Sequence, residues 1–184
     1  TLGTDYASFV KSFERAVDVI GQINPDLFSR LPEDQRTLHK ANLAELIANV
    51  APAISAAFSV ILTAIIMVVG ARAVLASGRL PRPWPWLPGL SLPVWALPVL
   101  ALAMVASAMS GFAGIAARCV AAAFAAAFAL QGLATIHALS WGNAMRGAVI
   151  GTTYAVCIMF GGWPLVIAML IGVAGLITWF MFGL

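Results

Sequence analysis

The polar side chains inside one long apolar stretch are the first candidates for chemistry. Gln131, Thr135 and His137 lie in residues 119–139, which contain no charged residue. On a helix, Gln131 and Thr135 are about 40° apart around the axis and share a face, whereas His137 lies about 120° from Gln131. An amide in an apolar environment is costly unless it is paired. Gln131 therefore either bonds a neighbouring helix or contacts a ligand, with Thr135 on the same face.

Arg118 is the second candidate, because it is the only charged residue between Arg82 and Arg146. A guanidinium inside an apolar layer is costly, and no Asp or Glu follows Glu45 in the sequence. Two interpretations remain open. The long side chain reaches the polar edge of the layer, or the guanidinium meets an anionic lipid, a ligand or a carboxylate of a partner.

A third polar feature is a row of hydroxyl groups. Ser55, Ser59 and Thr63 are spaced at i, i+4 and i+8, so on a helix they form one polar stripe. Hydroxyl groups can bond back to the carbonyl groups of their own helix. The stripe therefore indicates either ordinary helix packing or the wall of a cavity.

Residue combinations that carry enzyme chemistry are absent from the sequence. There is no Gly-rich phosphate loop ending in Lys-Ser or Lys-Thr, no His-Glu-x-x-His and no paired metal-ligand Cys. A serine nucleophile needs a nearby base, and His39 and His137 are the only two His. We therefore predict no enzyme, no catalytic residue, no bound metal and no cofactor.

The composition excludes an ordinary water-soluble domain. Of the 184 residues, 62% are hydrophobic and 9% are charged, whereas about a quarter of a soluble domain is charged. Two Cys do not make a disulfide scaffold. The Arg residues after residue 45 are scattered among apolar runs, so we expect no nucleic-acid partner. The sequence predicts an all-α, polytopic transmembrane helical bundle whose first partner is the lipid bilayer.

The charge distribution divides the chain at residue 45. All seven acidic residues lie in residues 1–45, where apolar side chains recur at helical spacing. This pattern predicts a polar, amphipathic helical segment. Residues 46–184 form the predicted transmembrane domain, because about 20 apolar residues cross a hydrocarbon core of about 30 Å. The five predicted spans are about 49–71, 92–110, 112–139, 147–162 and 163–184.

Basic residues near the span ends predict the orientation. Lys and Arg concentrate on the cytoplasmic side of membrane proteins. Arg79 and Arg82 follow the first span, and Arg146 lies between the third and the fourth. Both loops and the C-terminus are therefore expected in the cytoplasm, and the N-terminal segment outside it. Trp84 and Trp86 lie among alternating prolines and fit the aromatic belt of a membrane surface. We expect these five residues to anchor the chain at the cytoplasmic interface of a bacterial inner membrane.

Three stretches resemble one bacterial membrane family. They are GRLPRPWP at 78–85, followed by a Leu-Pro before the second span, LQGLATIHAL at 130–139 and WPL at 163–165. Together they resemble the family catalogued as domain of unknown function 2232. The resemblance covers most of the chain, is strongest from 78 to 176, and implies a longer natural protein. Further spans before Thr1 are also expected because no signal-peptide pattern exports the charged N-terminal segment.

Two functions remain open at this point. The resembled family is grouped distantly with the substrate-binding components of energy-coupling factor transporters, which implies small-molecule binding or transport. The candidate ligand contacts are then Gln131, Thr135, Arg118, Ser55 and Ser59. The alternative is an accessory or scaffold subunit of a larger membrane complex. A pocket lined by Gln131 and the Ser55 stripe would favour binding, whereas flat faces of small residues would favour the subunit.

Overall fold

The computed structural model describes residues 5–29, 32–79 and 91–182, and within these ranges every regular element is an α-helix. This confirms the predicted all-α class. The helices are α1 Tyr6–Ile23, α2 Asp26–Ser29, α3 Glu33–Ala76, α4 Ala96–Ala106, α5 Gly111–Leu139, α6 Arg146–Phe160 and α7 Gly162–Phe182.

The polar N-terminal segment forms a helical hairpin. The apolar stripe of α1 faces α3 and buries Val17 completely. At one end of the hairpin Tyr6 reaches Asn49, and at the other Lys40 forms an ion pair with Asp18 at 2.7 Å. Because the contact residue in α3 falls from 49 to 40 as the residue in α1 rises from 6 to 18, the two helices run in opposite directions.

The α3 helix passes without a break through the predicted domain boundary at residue 45. Its 44 residues give a length of about 66 Å. The first turn carries Glu33 and Asp34, where acidic groups interact favourably with the positive end of the helix dipole. The polar hairpin and the first predicted span therefore share one continuous helix, which includes Pro52.

The α5 helix is the centre of the molecule and packs against α3, α4 and α7. One buried cluster joins it to α4 and α7 through Ala96, Leu100, Phe128 and Leu176. The turn from α4 to α5 requires glycine at Gly111, whose φ is +72°, because other residues rarely adopt that conformation.

Within the described residues, two helices, α3 and α5, are long and apolar enough to cross a membrane, fewer than the five that the sequence predicts. Helices α4 and α6, and residues Gly162–Thr178 of α7, are apolar but shorter. The second predicted span, 92–110, is helical only from Ala96 to Ala106. Before Ala96 the chain forms a turn, in which the Ala96 N–H donates to the Pro93 carbonyl oxygen at 2.9 Å.

Candidate functional site

Gln131 is the most deeply buried of the predicted ligand contacts, with 4% of its surface exposed. Its Oε1 accepts a hydrogen bond from the Leu92 N–H at 2.9 Å. Its Nε2 donates to the Gly172 carbonyl oxygen at 3.2 Å. Both ends of the amide therefore bond backbone groups of the same chain, one before α4 and one in α7.

The non-helical segment before α4 explains why an amide is needed at this buried position of α5. The backbone of residues 91–93 has no helical partner for the Leu92 N–H. Irregular backbone among apolar groups is tolerated only where its polar groups are satisfied by the protein. Gln131 supplies that acceptor, so its position is accounted for by the structure of its own chain.

The α5 and α7 helices approach each other closely at two glycines. A Cβ on Gly132 would overlap the carbonyl oxygen of Ala168, and a Cβ on Gly172 would overlap that of Phe128. Three residues further along both helices, a Cβ on Gly175 would lie 3.5 Å from Thr135 Oγ1. Gly132 and Gly172 therefore allow the backbones of α5 and α7 to come into direct contact.

Thr135 and the Ser55 stripe bond within their own helices. Thr135 Oγ1 donates to the Gln131 carbonyl oxygen at 3.0 Å. Ser59 donates to the Ser55 carbonyl at 2.8 Å, and Thr63 donates to that of Ser59 at 2.7 Å. Ser55, Ser59 and Thr63 are exposed on the surface of α3. The structure therefore does not bring the Ser55 stripe and Gln131 to a common pocket.

Arg118 takes part in a polar cluster that joins α1, α3 and α5. Its Nη1 donates to Asn49 Oδ1 at 2.7 Å, and its Nη2 lies 3.4 Å from the Met109 carbonyl oxygen. Asn49 in turn donates through Nδ2 to the Tyr6 hydroxyl at 3.3 Å. The guanidinium is thus hydrogen-bonded to a neutral side-chain amide of α3. Neither of the two interpretations from the sequence included this partner.

The interface anchors are only partly within the described residues. Arg79 is exposed just beyond the end of α3. Arg146 begins α6, and its guanidinium carbon lies 4.4 Å from the centre of the Trp141 ring. The predictions for Arg82, Trp84 and Trp86 concern residues 80–90, which lie outside the described part of the chain.

His137 contacts α6 at the end of α5. Its Nε2 lies 3.2 Å from the Tyr154 hydroxyl. This contact links α5 to α6, a helix that has no buried residue. Cys119 and Cys157 are both free thiols. Among the residues that the structure describes, no group of three or more His, Cys, Asp or Glu side chains could hold a metal ion.

An apolar groove of about 570 Å³ lies between α5, α6 and α7. Its volume is within the range of ligand pockets, roughly 300–1,000 Å³. Its wall is made largely by Leu, Ile, Val, Ala and Met side chains. Val149 and Thr153 are contributed by α6, and Ile167 and Ile171 by α7. Gln131 and Ser55 do not line it. The groove suits an apolar occupant rather than a polar one.

Sequence reasoning missed Asn49 and Tyr154, which complete the two polar links of α5. Asn49 lies 69 positions from Arg118 in the chain, so no local spacing connects them. Asn49 is, however, the one side-chain amide near the start of the first predicted span. A search for side-chain amides near the span ends, in addition to charges, would have found it.

Comparison with models of known protein families, with curated proteins and with solved structures finds no match to this chain. The resemblance to domain of unknown function 2232 therefore stays a prediction.

Proposed function

We propose that the chain is a polytopic protein of the bacterial inner membrane that serves as an accessory or scaffold subunit of a larger membrane complex. The Gln131 amide carries this proposal. A site for a polar vitamin or metal needs free polar groups inside the bundle. Both ends of Gln131 are instead committed to Leu92 and Gly172.

Membrane embedding is supported by the large apolar side chains on the outside of the helices. Met67 on α3 and Ile158 and Met159 on α6 are among those exposed. On soluble proteins, contiguous apolar surfaces are rare and mark interaction sites. A bilayer would cover such surfaces. The scarcity of charge between 46 and 184 agrees with this location.

Five crossings are proposed even though three of the helices are short. The chain of α4 and its flanking turns follows α5 from Gln131, beside Leu92, to Arg118, beside Met109, which is about 20 Å of helix. Shorter apolar segments are accommodated by local thinning of the bilayer. The polar hairpin then lies outside the cell membrane, and Arg79 and Arg146 lie at its cytoplasmic surface.

The face of α6 that carries Gly147, Gly151 and Ile158 is the proposed docking surface. The three residues lie within about 40° of each other around the helix. No residue of α6 is buried, a Cβ on either glycine would meet nothing within 4 Å, and Ile158 is 83% exposed. Small residues allow close approach of helices within a membrane. The proposed partner is an apolar transmembrane helix of another subunit.

Small-molecule binding remains a second candidate because of the groove between α5, α6 and α7. Its apolar wall and ligand-sized volume favour a hydrophobic molecule. The groove and the docking face are formed by different sides of α6, so the two functions are separately testable.

Site-specific photocrosslinking of the full-length protein in native membranes tests the subunit proposal. A benzophenone amino acid at Ile158 should form one discrete adduct with another membrane polypeptide, and Gly151→Leu should abolish that adduct. The same probe at Ile66, an exposed residue of α3, is the matched control. Adducts with lipid alone, an identical adduct from Ile66, or an adduct containing only a second copy of this chain would each contradict the proposal.

A further inference from the structure

The apolar groove has a cationic end. Met145 lines the groove at the start of α6, and Arg146 follows it. Arg146, Val149 and Thr153 are spaced at i, i+3 and i+7, so they share a face of α6. Since Val149 and Thr153 line the groove, Arg146 stands at the end of the same face.

The Arg146 guanidinium has one N–H group without a partner among the described residues. Its Nε is buried and meets no hydrogen-bond acceptor there. Within residues 5–29, 32–79 and 91–182, the guanidinium lies over the ring of Trp141. The ring attracts the charge but accepts none of the five N–H groups in the way that an oxyanion does. No acidic residue follows Glu45, so the membrane domain itself offers no carboxylate.

We infer that this groove binds one anionic phospholipid, with its phosphate on Arg146 and one acyl chain along α6 and α7. Arginine binds phosphate through paired, charge-assisted hydrogen bonds. The groove begins beside that cation and continues between apolar side chains. A molecule with a single anionic group at one end of a long apolar chain matches both features. A partner helix would match the groove but would leave the guanidinium without an anion.

This inference rests on the proposed membrane location but not on the docking face. The groove side of α6 carries Val149 and Thr153, whereas the docking face carries Gly147, Gly151 and Ile158. Arg146 is predicted at the cytoplasmic surface, where bilayers present anionic lipids. The bound lipid would fill the space beside α6, the helix with no buried residue, and hold it against α5 and α7.

Native mass spectrometry of the delipidated full-length protein in detergent measures the binding. The probes are dioleoyl phosphatidylglycerol, dioleoyl phosphatidylcholine and free glycerol phosphate. We expect the first to bind about tenfold more tightly than the second, a difference that corresponds to about 1.4 kcal/mol. Arg146→Gln should remove this preference, whereas Arg79→Gln, a change at another predicted cytoplasmic arginine, should retain it. Glycerol phosphate should not compete at the concentrations that saturate the lipid.

Two neighbouring positions of α7 form a matched test of the acyl-chain path. Ile167 lines the groove and is 62% exposed, whereas Val166 does not line it and is 46% exposed. Ile167→Trp should lower the affinity for both lipids about tenfold, and Val166→Trp should change it less than twofold. Both positions are open, so neither variant needs to disturb the core.

Three results would overturn the lipid site: equal effects of Arg146→Gln and Arg79→Gln, equal effects of the two Trp variants, or competition by glycerol phosphate. Alkaline extraction of membranes separates this failure from failure of the membrane proposal. Release of the protein by carbonate would refute the membrane location. Loss of lipid selectivity in a protein that resists carbonate would refute the lipid site alone.

Discussion

The Leu92 N–H donates a hydrogen bond to Gln131 Oε1 at 2.9 Å, across 39 positions of the chain. This contact joins the irregular backbone before α4 to the middle of α5. The same amide donates to Gly172 on α7. One side chain therefore links three segments that are distant from one another in the sequence.

Gln131→Leu should destabilise the protein by about 1–3 kcal/mol, because it leaves the Leu92 N–H without an acceptor among apolar groups. Thr135→Val is the matched control, since the Thr135 hydroxyl bonds only its own helix, and it should cost less than about 1 kcal/mol. Unfolding of the two variants in mixed micelles of increasing denaturing detergent measures both values. Equal stability of wild type and Gln131→Leu would show that the Leu92 bond contributes nothing.

Gly132→Ala and Gly172→Ala should each cost about 1–3 kcal/mol, the range for an overpacked core. The added methyl group would overlap a backbone carbonyl of the facing helix in each case, and backbone cannot move aside as a side chain can. Gly147→Ala is the control, because a Cβ there meets nothing within 4 Å. It should be neutral or stabilising by up to about 1 kcal/mol through helix propensity. Thermal unfolding in detergent would refute this crossing if all three variants behaved alike.

Asn49 and Arg118 should be energetically coupled. Their hydrogen bond of 2.7 Å involves a charged donor, and such bonds contribute about 1.5–3 kcal/mol. A double-mutant cycle with Asn49→Ala and Arg118→Gln should therefore give a coupling energy of about 1–2 kcal/mol, because both groups are partly solvated. Additive effects of the two changes would show that Arg118 instead finds its partner in water or lipid.

Several features of the fold could be predicted from the sequence because they depend on local periodicity and hydropathy. The third predicted span, 112–139, matches α5, which covers Gly111–Leu139. The acidic Glu33 and Asp34 mark the first turn of α3. The continuity of α3 across residue 45 does not follow from composition, because the sequence changes from polar to apolar along it while the helix continues. Composition therefore placed a boundary inside a continuous helix.

The polar contacts could be anticipated by residue type but not by partner. The cost of an unpaired amide predicts that Gln131 has a hydrogen-bond partner, yet the partner is the backbone of Leu92, a residue type that carries no polar signal. Arg118 lacked an acidic partner in the sequence, and the structure provides the amide of Asn49. Both partners depend on how distant segments pack, which no spacing along the chain encodes.

The five proposed crossings underlie both the docking face and the lipid site, and labelling of single cysteines measures them directly. In full-length protein with Cys119 and Cys157 replaced by Ala, cysteines are introduced at Asp26, Ser77 and Asn143 and treated in intact cells with a membrane-impermeant maleimide. The proposed topology predicts labelling of position 26 from outside, and of 77 and 143 only after the cells are opened. Labelling of positions 77 and 143 from opposite sides, or of 26 and 77 from the same side, would contradict it.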